Sequence, residues 1–328
     1  MSARVPVKFG LIYDFRNPLE WRREWHDLYS ELLQQIETAE SLGFEEIWLT
    51  EHHFAQDGYL PSLFPMAAAI ASRTQNIRIG TNALLAAIHH PLRVAEDAAI
   101  VDILSRGRLD LGLALGFRQL EFRQFGIEFD LARRVERLKD VVGALKHAYD
   151  GAYMDQPVCP APLQKPHPPI YVGANVDSAL KALAPLGLPL MLIGGKDKLT
   201  MYSQAQRAAG LDISAIPAPV QSLGMFLFVA EDHDLAWKTA MPHVRYAVEQ
   251  DVLWSGRTRL VSDSDLKRFG VVGAPDEVAD SIVQKIQDIR PSQACFFANP
   301  PGMAPEVATQ SLRLFARCVR PLVEEKLA

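Results

Sequence analysis

Short apolar runs alternate along the chain with stretches whose apolar residues recur at helical spacing. Val7–Tyr13, Glu46–Thr50, Ile77–Thr81, Leu109–Leu115, Ile170–Gly173, Leu190–Ile193, Gly224–Ala230 and Ala294–Ala298 read as strands. Several are apolar at successive positions, as expected of strands covered on both faces in a parallel sheet. Helices are expected between them. Leu28, Leu32, Ile36 and Ala39 share one face, with Gly43 as the stop. Met66–Ser72, Leu92–Leu104, Leu131–Tyr149, Ala179–Ala184, Lys198–Ala209, Leu235–Glu249 and Glu306–Val319 follow the same logic. Pro275-Asp276-Glu277 opens a further helix, its acids at the positive end of the dipole. Gln156–Pro169 is too rich in proline for a helix or an interior strand. Asp251–Gly270 breaks the rhythm as a polar, inserted loop ahead of the last helix–strand unit.

This alternation predicts a (β/α)8 TIM barrel, one domain over residues 1–328 with residues 251–270 as a candidate lid. A doubly wound sheet is the competing arrangement, but no Gly-x-Gly-x-x-Gly follows any of the strands. A chain of 328 residues, 48 % hydrophobic and 22 % charged, can fill such a core. The net charge of −5, with scattered basic residues, argues against nucleic acid. Cys159, Cys295 and Cys318 are widely spaced and odd in number, which fits free thiols in a reducing compartment. No apolar signal core opens the chain and no stretch has the length of a bilayer span, so a cytoplasmic protein away from membranes is expected.

Barrel enzymes build their sites at the carboxyl ends of the strands. Those ends carry Glu51-His52-His53, Thr81-Asn82-Ala83, Ala114-Leu115-Gly116-Phe117 and Gly173-Ala174-Asn175. The small residues leave room for a flat ligand against the backbone, or they merely taper the barrel. His52 is the one evident proton-transfer group on this rim. A metal hydrolase using Glu51, His52 and His53 is an alternative, but no HExxH and no Cys/His cluster completes a ligand set, so no metal is expected. No nucleophile elbow or phosphate-cradling loop is present in the sequence either. Residue chemistry alone suggests that a cofactor does the difficult step.

The segment Phe44–Phe54 resembles the second-strand signature of the bacterial luciferase-like flavin monooxygenases. Ile79–Ala83 with His90–Asp97, Ser105–Leu109 leading to Gly116-Phe117, Glu121-Phe122, Phe125-Gly126, Pro169–Ala174 and Gly273–Val278 continue the resemblance in order. It implies reduced FMN supplied by a separate flavin reductase, reaction with dioxygen through a flavin hydroperoxide, and oxygenation of a small apolar substrate. It implies His52 as the catalytic residue, and Asn82-Ala83 as a non-proline cis peptide under the flavin. Ala114 would face the ring where luciferases carry a cysteine. Gly116, Gly173 and Ala174 would complete the flavin surface, and Arg133, Asn175, Val176 and Ser178 would grip the phosphate. Glu51, Phe54, Phe117 and Trp254 would line the substrate pocket, and the family pairing implies a homodimer.

Leu115 stands where a luciferase places an arginine, Val176 where it offers a hydroxyl, and Asp177 adds negative charge. With each charge-assisted contact worth roughly 1.5–3 kcal/mol, loose FMN binding is expected. Two further readings stay open: a deazaflavin-dependent oxidoreductase on the same barrel, which needs no dioxygen, and a non-catalytic flavin-binding partner subunit.

Overall fold

The computed structural model describes residues 7–174, 176–193, 195–224, 226–256 and 262–327. The strands are β1 (Lys8–Tyr13), β2 (Glu46–Leu49), β3 (Arg78–Leu85), β4 (Leu109–Ala114), β5 (Ile170–Gly173), β6 (Met191–Ile193), β7 (Val220–Gly224), β8 (Phe226–Val229), β9 (Gly270–Gly273) and β10 (Gln293–Phe297). Eight form one sheet in the order β5-β4-β3-β2-β1-β10-β7-β6, and a parallel bridge links Val172 to Leu190. With helices intervening along the chain, this is the strand order of a (β/α)8 barrel.

Chain contacts divide into two compact units. The first comprises Met1–Glu46, Ala55–Tyr59 and Val220–Ala328; the second comprises Ile47–Phe54 and Leu60–Pro219.

In the first unit, β1 pairs in parallel with β10 from Lys8↔Gln293 to Ile12↔Phe297, and β10 pairs with β7. Phe9 meets Phe315 edge-on at 5.3 Å, and Phe315 stacks near Phe44 at 5.4 Å, closing the apolar layer behind β1. Aromatic pairs of this kind add about 0.5–1.5 kcal/mol each beyond their buried area. β8 and β9 make a separate parallel pair, and Phe226 and Phe228 pack there with Ala240, Val244 and Leu266.

Two expectations change here. The run Gly224–Ala230, read as the seventh barrel strand, supplies the side pair through Phe226–Val229, and the strand that enters the main sheet lies just before it at Val220–Gly224. Its polar residues, Gln221 and Ser222, weakened the apolar signal of the true barrel strand. The stretch Asp251–Gly270, read as a polar loop, is largely regular. Helix His233–Trp254 runs through its start, and Ser262 caps helix Asp263–Phe269 with a reciprocal box to Asp265. Residues 257–261 lie outside the described residues.

In the second unit, β3, β4 and β5 pair in parallel. Trp48 is fully buried against Gly80, where a Cβ would fall 2.3 Å from the indole, and meets Tyr171 edge-on at 5.9 Å. Helix Leu131–His147 starts where Asp130 accepts the Arg133 N–H and buries Val135, Leu138, Val142 and Leu145 on one stripe. Arg108, in the Ser-Arg-Gly-Arg motif, is buried as a clamp: it donates to the carbonyls of Ala71, Thr74, Ile77 and Ser105. Its charge is spent on holding the helix Leu63–Arg73 connection to β4.

The end of β1 carries a buried charged cluster in the first unit. Arg16 Nε donates to Asp57 Oδ2 at 2.7 Å, and its guanidinium lies over the rings of Tyr59, Tyr246 and Trp254 at 5.1–5.4 Å. Burial pushes the Asp14 carboxyl up to about 7, with Asp57 and Asp251 adding to it and Arg16 opposing it. The folded chain therefore keeps a proton that the unfolded chain releases from about pH 4 upward. The resulting stability is fully present below that pH and is lost as pH rises through about 7. Asp14→Asn is accordingly expected to flatten the thermal stability profile, so that the Tm lost between pH 5.5 and pH 8.5 shrinks by a few degrees. An unchanged slope would contradict this assignment.

Candidate active site

Beyond β2 the chain runs Thr50-Glu51-His52-His53-Phe54, all within the second unit. The alternation of a strand sends neighbouring side chains apart, and here each imidazole finds a different carboxylate. His52 Nδ1 is 2.8 Å from Glu121 Oε1, which also accepts the His53 backbone N–H at 2.9 Å. Glu121 comes from the short helix Gln119–Gln124 and is wholly buried. Because that oxygen accepts from a backbone amide, the proton of the His52 pair belongs on Nδ1, and in that tautomer Nε2 is the acceptor nitrogen. The His52 side chain keeps 12 % exposure and meets Phe117 edge-on at 5.3 Å.

Glu51 is the second buried carboxylate. Its Oε1 lies 2.7 Å from both His53 Nε2 and His89 Nε2, and its Oε2 accepts the Leu85 N–H at 2.7 Å. Burial pushes this carboxyl up, but the hydrogen bonds from His53 and His89, the charge of His89 and the Leu85 amide outweigh it and hold it at about 2. Glu51 was expected to line the substrate pocket. With a side chain fully shielded from solvent, it acts as an internal tie between the ends of β2 and β3. Arg118 clamps the same turn by donating to the His53 carbonyl at 2.6 Å.

The Asn82–Ala83 peptide is cis. It falls in a bulge of β3: Thr81 pairs with Leu111 and Leu84 with Leu113, so two residues face Gly112 alone. Thr81 Oγ1 both donates to the Gly112 carbonyl and accepts its N–H, at 2.8 and 2.9 Å. A Cβ on Gly112 would lie 2.1 Å from the Thr81 carbonyl and from Met191 Sδ, which is why a glycine stands there. Farther along, Leu85, Ala114 and Gly173 are register partners across three strands. Asn82, Ala83, Ala114, Gly173 and Ala174 are all half-buried, a row of small side chains at the strand ends. Gly116 adopts φ +74°, and its carbonyl accepts from Arg134 Nη1 at 2.5 Å.

The remaining expected residues are more dispersed. Arg133 is 65 % exposed and ion-paired to Glu136, whereas its neighbour Arg134 turns onto Gly116, with its guanidinium 4.1 Å above the Phe129 ring. Val176 and Ser178 are exposed at the start of helix Asp177–Leu183, and Asn175 lies outside the described residues. Asp177, expected to weaken phosphate binding, is paired with Lys198. Phe54 and Phe117 are exposed rings, and Phe125 joins them against Phe54 and His53. Trp254 belongs to the first unit, where it covers Arg16 and meets Tyr59 edge-on at 5.8 Å. Sequence reasoning missed Glu121 and His89 as partners of the histidines. Glu121 did stand in the motif that carried the resemblance, as an acid beside Phe122, but nothing local ties it to residue 52.

No helix among the described residues is long and apolar enough to cross a membrane. A relative from Acinetobacter baylyi, the oxygenase component of a flavin-dependent trigonelline monooxygenase, is 33 % identical over 157 residues, covering 45 % of this chain and 44 % of its own length. The chain thus spans less than half of that relative. The alkanal monooxygenase alpha chain of Photorhabdus luminescens is 25 % identical and covered to 98 % in both chains. The crystal structure of monooxygenase RslO1 from Streptomyces bottropensis superposes with a TM-score of 0.82 at 27 % identity, over 96 % of this chain and 99 % of that one. Residues 7–292 match the family model for luciferase-like monooxygenases, and with the (β/α)8 strand order they establish that this chain belongs to that family.

Proposed function

We propose that this chain is the oxygenase component of a two-component flavin monooxygenase, which receives reduced FMN from a separate reductase and uses dioxygen to oxygenate a small apolar substrate. The observation that carries this reading is His52, a ring that reaches the surface while buried Glu121 holds its Nδ1. The strand ends fit a flat cofactor. Half-buried Asn82, Ala83, Ala114, Gly173 and Ala174 make a ledge with little side-chain relief, and Arg133, Val176 and Ser178 are the proposed phosphate contacts. Lys198 offsets the charge of Asp177, so the phosphate region is less anionic than the bare sequence implies.

Reduced FMN, when bound, supplies the electrons that activate dioxygen. The chain supplies position and proton control. His52 Nε2 is the nitrogen able to accept a proton and return it, while Glu121 keeps the ring in one tautomer. Phe54, Phe117 and Phe125 offer an apolar surface beside the imidazoles, suited to an organic substrate and to the exclusion of water. Exposed Ile100 and Leu104 on helix Pro91–Leu104 support a homodimer.

Single-turnover reactions with photoreduced FMN, isotopically labelled dioxygen and a panel of aldehydes, ketones and aromatic compounds test this reading. One labelled oxygen atom is expected in the product, and His52→Ala is expected to lower the yield by about 100-fold or more with little change in FMN affinity. Oxygen-independent turnover with a reduced deazaflavin, or full yield from His52→Ala, would contradict it. Glu121→Ala removes both the charge and the acceptor, and is expected to lower kcat by about 10- to 100-fold at nearly constant KM. Glu121→Gln keeps an acceptor for Nδ1–H and should fall between that variant and the parent. Equal losses in the two variants would remove Glu121 from its role as a positioning residue.

A further inference from the structure

The Glu51 cluster has a composition that proton transfer at His52 does not use. Glu51 Oε1, His53 Nε2 and His89 Nε2 lie within 4.8 Å of one another, and among the described residues they are the one group of this kind. Two imidazole nitrogens and a carboxylate are the donor set of three-ligand zinc sites that keep a fourth position for water.

Several features fit a site of this kind. The carboxylate is wholly buried, and its second oxygen is held by the Leu85 N–H at 2.7 Å, the outer support that orients a ligating carboxylate. His53 is fixed through its backbone on both sides, its N–H donating to Glu121 and its carbonyl accepting from Arg118. His89 keeps 31 % exposure, which leaves a path for an ion and room for a water ligand. His89 follows Glu51 by 38 residues, so only the fold brings the third donor in.

We propose that Glu51, His53 and His89 form a binding site for a divalent transition ion of the zinc class. The ion would displace the protons that now bridge His53 Nε2 and His89 Nε2 to Glu51 Oε1; each ring would then ligate as the neutral Nδ1–H tautomer, and any proton in excess would pass to solvent. No redox change is involved. Nitrogen donors favour zinc, nickel or copper over magnesium and calcium, which require oxygen ligands. Occupancy would join the turn after β2 to the segment after β3 by coordinate bonds in the place of hydrogen bonds.

The test uses the full chain, stripped with EDTA and dialysed, then titrated with zinc chloride by calorimetry. Metal content is read by mass spectrometry after gel filtration. One zinc per chain is expected, with affinity reduced at least about 30-fold in His89→Ala and in Glu51→Gln, and no competition from excess magnesium. His89 is partly exposed, so His89→Ala is expected to keep the parent's circular dichroism and FMN affinity. The readout is metal content, so the outcome is independent of whether the chain oxygenates anything. Zinc well below one equivalent, or equal affinity in a folded His89→Ala protein, would overturn the proposal.

Discussion

Two carboxylates without access to water organise this site. A carboxylate sealed in protein is costly unless donors reach it, and here those donors are histidines and backbone amides. Glu121 takes the His52 ring and the His53 amide on one oxygen. Glu51 takes two imidazoles on one oxygen and the Leu85 amide on the other. Removing Glu121 would strand His52 and the His53 amide in the turn after β2, and removing Glu51 would strand His53, His89 and the Leu85 amide of β3. Glu121 thus holds the His52 ring from a buried position, and the rings of Phe54 and Phe117 stay exposed beside the two histidines.

Much of the fold was legible because burial on both faces leaves an unambiguous mark. β5 begins and ends at the residues the apolar run predicts, and β1, β2 and β4 differ by a residue at an end. The seventh strand was not legible: Val220–Gly224, with its polar Gln221 and Ser222, precedes the apolar Phe226–Val229, and which one enters the main sheet depends on pairing with β10, a long-range choice. Helical structure at 251–254 and 263–269 was hidden by polar residues that serve as caps and exposed faces. The Ser-Arg-Gly-Arg motif was legible as family likeness but silent about its purpose, which is to satisfy carbonyls at the end of helix Leu63–Arg73.

The candidate site divides along the same line. His52, the small strand-end residues and the position of the cis peptide could be placed from local sequence and likeness. Glu121 and His89 could not, because the hydrogen bonds that tie them to His52 and Glu51 span 69 and 38 residues and leave no local trace. Helical phase decides which of two adjacent arginines turns inward, and it is Arg134 that reaches the end of β4. A luciferase-like barrel thus keeps its general chemistry in strand ends that are easy to read, and its particular chemistry in contacts that are not.

The claim on which the account turns is that buried Glu121 fixes the tautomer of His52. Long-range proton–nitrogen correlation spectra of the labelled protein at pH 8, with the His52 signals assigned by their loss in His52→Gln, measure this directly. The account predicts a ring protonated at Nδ1, with Nε2 in the unprotonated range. A ring protonated at Nε2, or an equal mixture of tautomers as in free histidine, would contradict it.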